Sequence, residues 1–201
     1  MHSRPPRPTR EQLLAAAGRS IPDLLAPGLD VLFCGINPGL YSGATGLHFA
    51  RPGNRFWRAL HDAGLTPSLL QPWQQDAMLA HRLGITNLVM RTTATAAELH
   101  DDELRAGRAA LECKVRIYRP IAVAMVGIGA YRVAFARPRA TVGRQPETLE
   151  GALLWVLPNT SGLNANHQAA DFAEAFGALA RAVRAARRGS PASRRRRTPS
   201  S

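Results

Sequence analysis

The sequence predicts an α/β fold whose mostly parallel central sheet is covered by helices on both faces. Three short apolar runs have the length and composition of strands that are buried on both sides: Asp30–Ile36, Pro120–Val126 and Ala152–Leu157. Stretches with helical periodicity alternate with these runs. This alternation is typical of parallel sheets, in which each strand is followed by a helix that returns the chain to the starting edge.

Three longer stretches carry an apolar residue every three or four positions, as an amphipathic helix does. The first begins near Asn54, the second covers about Asp101–Tyr118 and the third covers about Gln168–Arg188. Their predicted core residues are Phe56, Leu60 and Ala63 in the first, Leu104, Leu111, Val115 and Tyr118 in the second, and Phe172, Phe176, Leu179 and Val183 in the third. A weaker strand is expected at Ile85–Val89, and a short helix at residues 11–18.

Length and composition allow one domain with a substantial core. The chain has 201 residues, of which 45% are hydrophobic, and this excludes disorder throughout. No run approaches the 18 apolar residues of a membrane span, so no membrane association is predicted. The two cysteines, Cys34 and Cys113, are too few for a disulfide scaffold or an iron–sulfur cluster. The N-terminal residues MHSRPPRPTR lack the apolar core of a signal peptide, which predicts a cytoplasmic protein.

The net charge of +12 is concentrated at the two ends. Eight arginines and no acid fall in residues 181–201, and three more arginines fall in residues 1–10, which leaves 15 basic against 14 acidic residues between them. We therefore predict a basic, disordered segment at residues 1–20, a folded domain at 21–188 and a disordered arginine-rich tail at 189–201. Such ends either hold a polyanion, most simply nucleic acid, or are solvated chain in an arginine-rich composition.

Several common sites are missing from the sequence. The segment Gly127–Arg132 starts like a dinucleotide-binding turn, but Arg132 stands where the third glycine is needed, so a tight strand-to-helix turn is the better interpretation. A dinucleotide-binding unit also carries an acid about 20 residues after its glycines, at the end of a strand. Glu147 has this spacing, but it lies within GRQPETLEG, which is no strand end. The six histidines never pair at the spacing of metal ligands, so no metal site is predicted. Cys34 is expected to be inert core.

Two polar loops directly follow predicted strands, at residues 37–54 and 158–167. In open α/β sheets the ligand binds beyond the carboxyl ends of the strands, so these loops are the predicted site. In the first loop, Asn37 lies between Gly35 and Gly39 and offers an amide that can orient a water molecule but cannot act as a strong base. Phe49 could stack on a flat ligand or belong to the core.

The second loop places one leucine among small and polar residues. Leu163 has no apolar neighbour in PNTSGLNANH, so it either packs onto the following helix or is an exposed wedge of the kind that enters base stacks.

Four motifs resemble those of the mismatch-specific uracil-DNA glycosylases, bacterial relatives of thymine-DNA glycosylase within the uracil-DNA glycosylase superfamily. They are LAPGLDVLFCGINPGL (Leu25–Leu40), RPGNRFWRAL (Arg51–Leu60), GITNLV followed by Arg91, and LPNTSGLN (Leu157–Asn164), in the family's order and spacing. The resemblance covers about residues 21–187. It implies a three-layer α/β/α sandwich, which agrees with the fold class that the strand and helix patterns predict.

The resemblance also implies roles for individual residues. Asn37 matches the catalytic asparagine that positions the attacking water. The base pocket is implied to contain Ile36, Ser42, His48, Phe49 and Asn159, with Phe49 stacking on the flipped base. Gly162, Leu163 and Asn164 match the segment that wedges into the duplex and contacts the unpaired guanine. No metal or organic cofactor is implied.

Three positions depart from the family's pattern. Thr160 stands where proline is usual, which could loosen the wedge loop, and Ala165 replaces an arginine of one relative, which could remove a DNA contact. Met90 sits where some relatives carry an acid, so catalytic help from that position is absent.

The implied reaction is base excision from double-stranded DNA. The resemblance predicts that uracil and 3,N4-ethenocytosine opposite guanine are the preferred substrates and that thymine opposite guanine is excised weakly. The protein is expected to be a monomer. It is expected to act at the nucleoid, in the cytoplasm. Lys114 is the only lysine and lies in a predicted helix away from both loops, so a strand-nicking Schiff base is not expected. The enzyme should therefore be a monofunctional glycosylase that leaves an abasic site.

Three other functions fit parts of the sequence. The strongest alternative is a catalytically weak protein of the same fold that binds mismatched or damaged DNA, which the departures at Thr160 and Ala165 keep open. A nucleotide-using enzyme is disfavoured by the broken glycine pattern at Arg132. A nucleic-acid binder that acts through its tail alone would lose its function without residues 189–201.

Overall fold

The computed structural model describes residues 3–162 and 168–189. Its strands are β1 (Val31–Gly35), β2 (Leu83–Asn87), β3 (Ala122–Val126), β4 (Gly143–Leu149) and β5 (Ala152–Leu157). Its α-helices are α1 (Arg10–Leu14), α2 (Leu40–Thr45), α3 (Phe56–Asp62), α4 (Ala77–Ala80), α5 (Asp101–Tyr118), α6 (Ile128–Ala134) and α7 (Ala169–Gly189). Short 3-10 helices cover Pro72–Gln74 and Ala96–Glu98. Within the described part of the chain, no helix is long and apolar enough to cross a bilayer.

The five strands form one sheet in the order β2-β1-β3-β5-β4. All neighbouring strands are parallel except β4, which pairs antiparallel with β5 at one edge. The predicted α/β class with a mostly parallel sheet and helices on both faces is therefore confirmed. The structure has the three-layer arrangement that the resemblance implies.

The central strands are buried on both faces, which is why they read as unbroken apolar runs. In β1, Phe33 packs into a core with Phe56 of α3 and Phe176 of α7, at ring-centroid distances of 5.2 and 6.1 Å. Leu32 points to the opposite face and packs into a second core that contains Leu111 of α5. The sheet is thus enclosed between α3 and α7 on one side and α5 and α6 on the other.

The predicted helices are present, and the start of α3 is set by a side chain. The Phe56 N–H donates to Asn54 Oδ1 at 3.0 Å, so the helix begins two residues after the predicted position. The turn after β3 is the predicted strand-to-helix turn, since Gly127 directly precedes α6 and has a φ of 128°.

Edge strand β4 was not among the strands predicted from the sequence, and Glu147 lies within this strand and not at its end. Residues Gly143–Leu149 form edge strand β4. Pro146 has no N–H to donate, and the register with β5 shifts between Arg144 and Thr148 around it. A short strand with a proline and one exposed edge carries a weaker pattern than a central one.

Helix α1 lies within the N-terminal segment, where the sequence predicts a short helix at residues 11–18. Helix α1 has a capping box, because Thr9 and Gln12 each bond the other's backbone N–H. After the helix, the Gly18 N–H donates to the Thr92 carbonyl at 2.9 Å, and the Thr92 N–H donates to the Arg19 carbonyl at 2.8 Å. The predicted disordered tail lies outside the described residues from Ser190 onward.

Candidate active site

The carboxyl ends of β1, β2, β3 and β5 surround a cavity of about 1060 Å³. This is the edge of the sheet at which the strand-end rule places a ligand. Six residues predicted for catalysis and the base pocket line this cavity together: Ile36, Asn37, Ser42, His48, Phe49 and Asn159. No aspartate or glutamate is among the described residues that line it.

The loop that carries Asn37 is fastened to the loop after β2. The carbonyls of Gly35 and Ile36 accept hydrogen bonds from the N–H groups of Leu88 and Val89, both at 2.9 Å. Further on, the Pro38 carbonyl accepts from the Thr93 N–H at 3.1 Å. These bonds continue the parallel pairing of β1 and β2 beyond the strands, so the two loops hold one another.

The side-chain amide of Asn37 has a fixed orientation. Its Nδ2 donates to the Arg91 carbonyl at 3.0 Å and to Thr93 Oγ1 at 2.7 Å. Thr93 donates its single hydroxyl hydrogen to the Thr95 carbonyl, 2.7 Å away, so Thr93 Oγ1 must accept the hydrogen bond from Asn37 Nδ2. The Asn37 carbonyl Oδ1 is consequently the atom that can accept a hydrogen bond from a water molecule in the cavity.

Phe49 is a rigid, strained platform at the wall of the cavity. Its ring stacks on Phe56 with the centroids 3.9 Å apart and an angle of 18° between the planes. Its backbone φ is 49°, a value that residues other than glycine rarely adopt. The backbone is held on both sides, because the His48 N–H donates to Gln75 Oε1 and the Ala50 N–H to Ser42 Oγ. Strain of this kind persists where the surroundings over-determine it.

His48 serves as a neutral anchor. It is 2% exposed, and its Nε2 lies 2.9 Å from the Pro22 carbonyl, which can only accept, so Nε2 carries the hydrogen. Burial lowers the pKa of His48, and this outweighs the opposing effect of the hydrogen bond to Pro22. The ring ties the loop that bears Phe49 to the segment that precedes β1.

Ser42 and the loop after β5 complete the walls. Ser42 is buried on α2, where its Oγ accepts the N–H of Ala50 at 3.3 Å. Asn159 Oδ1 accepts the Ser161 N–H at 3.0 Å. The loop after β5 is attached to the end of the loop after β1, since Arg55 donates hydrogen bonds to the carbonyls of Thr160 and Ser161.

The wedge segment falls mostly outside the described residues. Gly162 is described, but it does not line the cavity; a Cβ there would lie 2.9 Å from the Gly53 carbonyl oxygen. Leu163, Asn164 and the departure at Ala165 lie outside the described part of the chain. Thr160 is buried, with its carbonyl bonded to the Arg55 N–H at 3.0 Å.

Asn87, the last residue of β2, is a site residue that was not predicted from the sequence. It is 6% exposed and lines the cavity, and its Nδ2 is buried without a partner among the described residues. A Cβ at Gly35 would lie 2.5 Å from Asn87 Oδ1 and 3.5 Å from the Phe49 ring, so Gly35 makes room for both side chains. The signal was present, because a polar residue at the carboxyl end of a predicted strand meets the rule that selected the other two loops.

Lys114 is not among the described residues that line the cavity. Its Nζ pairs with Asp23 Oδ2 at 2.6 Å, donates to Thr86 Oγ1 at 2.8 Å and lies 3.8 Å from the sulfur of Met90. Cys34 is buried in β1, which raises the pKa of its thiol to about 12. In the described residues, no three His, Cys, Asp or Glu side chains meet in a group that could hold a metal ion.

Comparison with known proteins agrees with this geometry. A model of the uracil DNA glycosylase superfamily matches residues 22–180, a range that includes the sheet and the loops around the cavity. The fold is similar to the solution NMR structure of a Methanosarcina acetivorans protein provisionally named a uracil DNA glycosylase, with a TM-score of 0.57 and 20% sequence identity over 83% of this chain and 98% of that one. The chain belongs to the uracil DNA glycosylase superfamily.

Proposed function

We propose that this protein is a mismatch-specific DNA glycosylase that excises uracil opposite guanine from double-stranded DNA. Membership of the superfamily points to N-glycosylase activity on uracil in DNA. The observation that carries the finer assignment is Asn37, an amide with a fixed orientation in a cavity whose described lining contains no carboxylate. A site of this kind positions water without a strong base, as in the glycosylases that the four motifs resemble.

The target base has to leave the duplex before it can enter the cavity. Flipping costs a few kcal/mol, and a G·U wobble pair is cheaper to open than a Watson–Crick pair. Leu163, in the sequence position of the wedge, fills the vacated stack. Phe49, supported from behind by Phe56, offers the flipped base a flat surface. This sequence of events makes the stability of the base pair part of substrate selection.

Asn87 is the residue that we assign to reading the base edge. Its Nδ2 is a buried donor that lacks a described partner, and such a donor gains a full hydrogen bond when an acceptor arrives. Uracil offers carbonyl oxygens that accept hydrogen bonds. As the base departs, negative charge develops on those oxygens, so a fixed donor stabilises the transition state more than the bound substrate.

The chemical step needs only water. The bond between the sugar C1′ and the base nitrogen breaks, its electron pair leaves with the base, and the sugar becomes oxocarbenium-like. A water molecule held by Asn37 Oδ1 forms the new bond to C1′, and its proton passes to the departing base or to solvent. Because the oxocarbenium ion is strongly electrophilic, a neutral amide is sufficient to orient the water.

The product of this reaction is an abasic site in an intact strand. A β-elimination that nicks DNA begins with an amine, and Lys114, the only lysine, is paired with Asp23 outside the cavity lining. We therefore propose a monofunctional glycosylase that acts as a monomer. We expect uracil and 3,N4-ethenocytosine to be preferred over thymine because a relative that the motifs resemble has this preference and carries serine at the position of Ser42, which lies on the wall of the pocket here.

The test is release of base from a labelled duplex that contains one G·U pair, followed by alkaline cleavage. G·T, A·U, ethenocytosine opposite guanine and single-stranded uracil are run in parallel, with Asn37→Ala as the variant. We expect rapid cleavage of G·U, weak cleavage of G·T and loss of activity in Asn37→Ala. Equal rates on G·T and G·U would remove the specificity. DNA binding without release of any base would favour a damage-binding protein of the same fold.

A further inference from the structure

The N-terminal residues 3–8, called the arm here, run along the mouth of the candidate active site. Arg7 and Pro8 line the 1060 Å³ cavity. Arg4 and Pro5 line a neighbouring cavity of about 310 Å³, which shares Phe49 and the following loop with the first. The arm therefore crosses from one cavity to the other.

The arginines of the arm are exposed to solvent. Pro5 and Pro8 are half-buried, whereas the residues on either side of each are exposed, so burial recurs every three residues. Three residues is the repeat of polyproline II, in which equivalent side chains lie about 9 Å apart. Arg4 and Arg7 share this spacing on the exposed side. Proline restricts the backbone, so less conformational entropy is lost when these arginines bind a ligand.

The arm is connected through α1 to the loop after β2, which holds the Asn37 side chain. It continues into α1, whose capping box fixes Thr9, and then into the segment whose Gly18 and Arg19 bond the backbone of Thr92 in both directions. Thr92 precedes Thr93, the residue that orients Asn37. At the other end of the arm, the Arg4 guanidinium lies 5.8 Å from the centre of the Trp73 ring.

The charge around the two cavities has one sign. The arginines in their linings are Arg4, Arg7, Arg51 and Arg58, and no carboxylate is among the described lining residues of either cavity. Asp62 neutralises Arg58, with an ion pair of 2.8 Å. Since residues 11–180 are nearly neutral in total, this positive region is a local feature of the mouth. A strand that inserts a base into the cavity brings its phosphates close to it.

We propose that the arm binds backbone phosphates of the DNA strand that carries the flipped nucleotide, through Arg4 and Arg7. The proposal rests on the proposed function for its ligand, duplex DNA. Phosphate contacts carry no sequence information but fix the register of a protein on the duplex. The arm thus contributes affinity and orientation for every substrate and leaves the choice of base to the pocket.

The test uses the full-length protein and three double variants. Arg4→Ala/Arg7→Ala removes both guanidinium groups, and Arg4→Lys/Arg7→Lys keeps the charges. Arg139→Ala/Arg181→Ala is the matched control, since it removes the same charge from exposed positions, after α6 and on α7, that line neither cavity. Binding to a duplex without uracil is measured by fluorescence anisotropy across a salt series, and base release from G·U is measured in a single turnover at saturating protein.

We expect Arg4→Ala/Arg7→Ala to bind the uracil-free duplex roughly tenfold more weakly at low salt. The slope of log affinity against log salt should become shallower by up to about 1.8, or about 0.9 for each phosphate that the arm no longer neutralises. The lysine variant should keep most of the slope, and the control should stay within about twofold of wild type. Base release from G·U at saturating protein should be no faster than in wild type, because the arm contributes binding and does not obstruct the mouth.

Two results would overturn the proposal. One is a variant that matches the control in affinity and salt dependence. The other is tighter binding or faster base release in Arg4→Ala/Arg7→Ala, which would show that the arm obstructs the mouth. Failure of the proposed function is recognised separately, since wild type would then release no base from any substrate while the binding comparison still reports on the arm.

Discussion

The orientation of one amide decides what Asn37 can do for a water molecule. If its nitrogen faced the cavity, the amide would donate to the water and point the lone pairs of the water the wrong way. The Arg91 carbonyl and Thr93 Oγ1 prevent this, because both accept hydrogen bonds from Asn37 Nδ2. Thr93 is therefore a positioning residue that acts through Asn37.

Thr93→Val is the sharpest test of that arrangement, since valine keeps the shape of threonine and removes the hydroxyl. Losing one hydrogen bond of about 1 to 1.5 kcal/mol should slow single-turnover release of uracil roughly tenfold. Thr93→Ser retains the hydroxyl and should stay within a few-fold of wild type. DNA affinity should be the same in all three proteins. A tenfold loss in both variants, or a loss of affinity, would contradict the assigned role.

His48 predicts how the stability of the pocket depends on pH. Burial lowers its pKa in the folded protein, so the unfolded chain binds a proton at a higher pH than the folded protein does. The stability contributed by neutral His48 is fully present above the unfolded pKa of about 6.5 and is lost as the pH falls below it. His48→Gln keeps a donor for the Pro22 carbonyl and does not titrate.

Urea unfolding of wild type and His48→Gln at a series of pH values measures this effect. The difference in unfolding free energy between the two proteins should shift against wild type as the pH drops from about 7.5 to about 5. The other histidines are common to both proteins and largely cancel. A difference that stays constant across this range would mean that His48 is not held neutral.

At the scale of elements, the strands that the sequence predicts well are those with both faces buried. β1, β3 and β5 appear as apolar runs because helices cover them on each side. β4 is an edge strand interrupted by Pro146, and its exposed positions carry polar residues that local pattern does not distinguish from a loop. Helix α1 is predicted at residues 11–18, but the hydrogen bonds of Gly18 and Arg19 to Thr92 could not be predicted, because Thr92 is remote in sequence.

The same distinction applies to the site. The rule of strand carboxyl ends selects the loops after β1 and β5, and the structure places Asn37, Phe49 and Asn159 on one cavity. Asn87 could have been selected by that rule as well. The orientation of the Asn37 amide could not, because it depends on Thr93, 56 residues further along the chain.

Gly107 shows how packing can override helix propensity. It lies inside α5, where alanine is favoured by about 1 kcal/mol on propensity alone. A Cβ at this position would lie 2.2 Å from the Leu88 carbonyl oxygen, which is backbone and cannot move aside. The glycine therefore sets the distance between α5 and the loop that follows β2.

We expect Gly107→Ala to destabilise the protein by about 1 to 3 kcal/mol, the usual cost of overpacking. Gly177→Ala in α7 is the matched control, because a Cβ there would meet only the tip of the Arg181 side chain at 3.4 Å. That change should be neutral or stabilising by up to about 1 kcal/mol. Thermal and urea unfolding of both variants measure the contrast, and equal effects of the two substitutions would refute it.

On the scale of the whole molecule, the two basic ends of the chain are attached on opposite sides of the sheet, one at the carboxyl ends of the strands and the other at their amino ends. The arm lies at the carboxyl edge, beside the cavity. Helix α7 ends at the amino edge, where Arg187 pairs with Asp30 at 3.0 Å, just before β1 begins. Asp30 also pairs with Arg82 at 2.8 Å, so the last turn of α7 is firmly attached to the body. The arginines at 194–197 therefore follow a helix that ends away from the site.

This arrangement predicts different outcomes for the two ends when their charges are removed. Deleting residues 189–201 removes four arginines that can contact phosphates outside the bound site, so affinity should fall for every duplex alike and most strongly at low salt. The rate of uracil release at saturating protein should stay at the wild-type value, because the pocket and its anchors are intact. Anisotropy and single-turnover assays on G·U and uracil-free duplexes measure both quantities. If the deletion instead abolished base release at saturation, the tail would have to reach the cavity from the opposite edge, and the separation of binding from chemistry would be wrong.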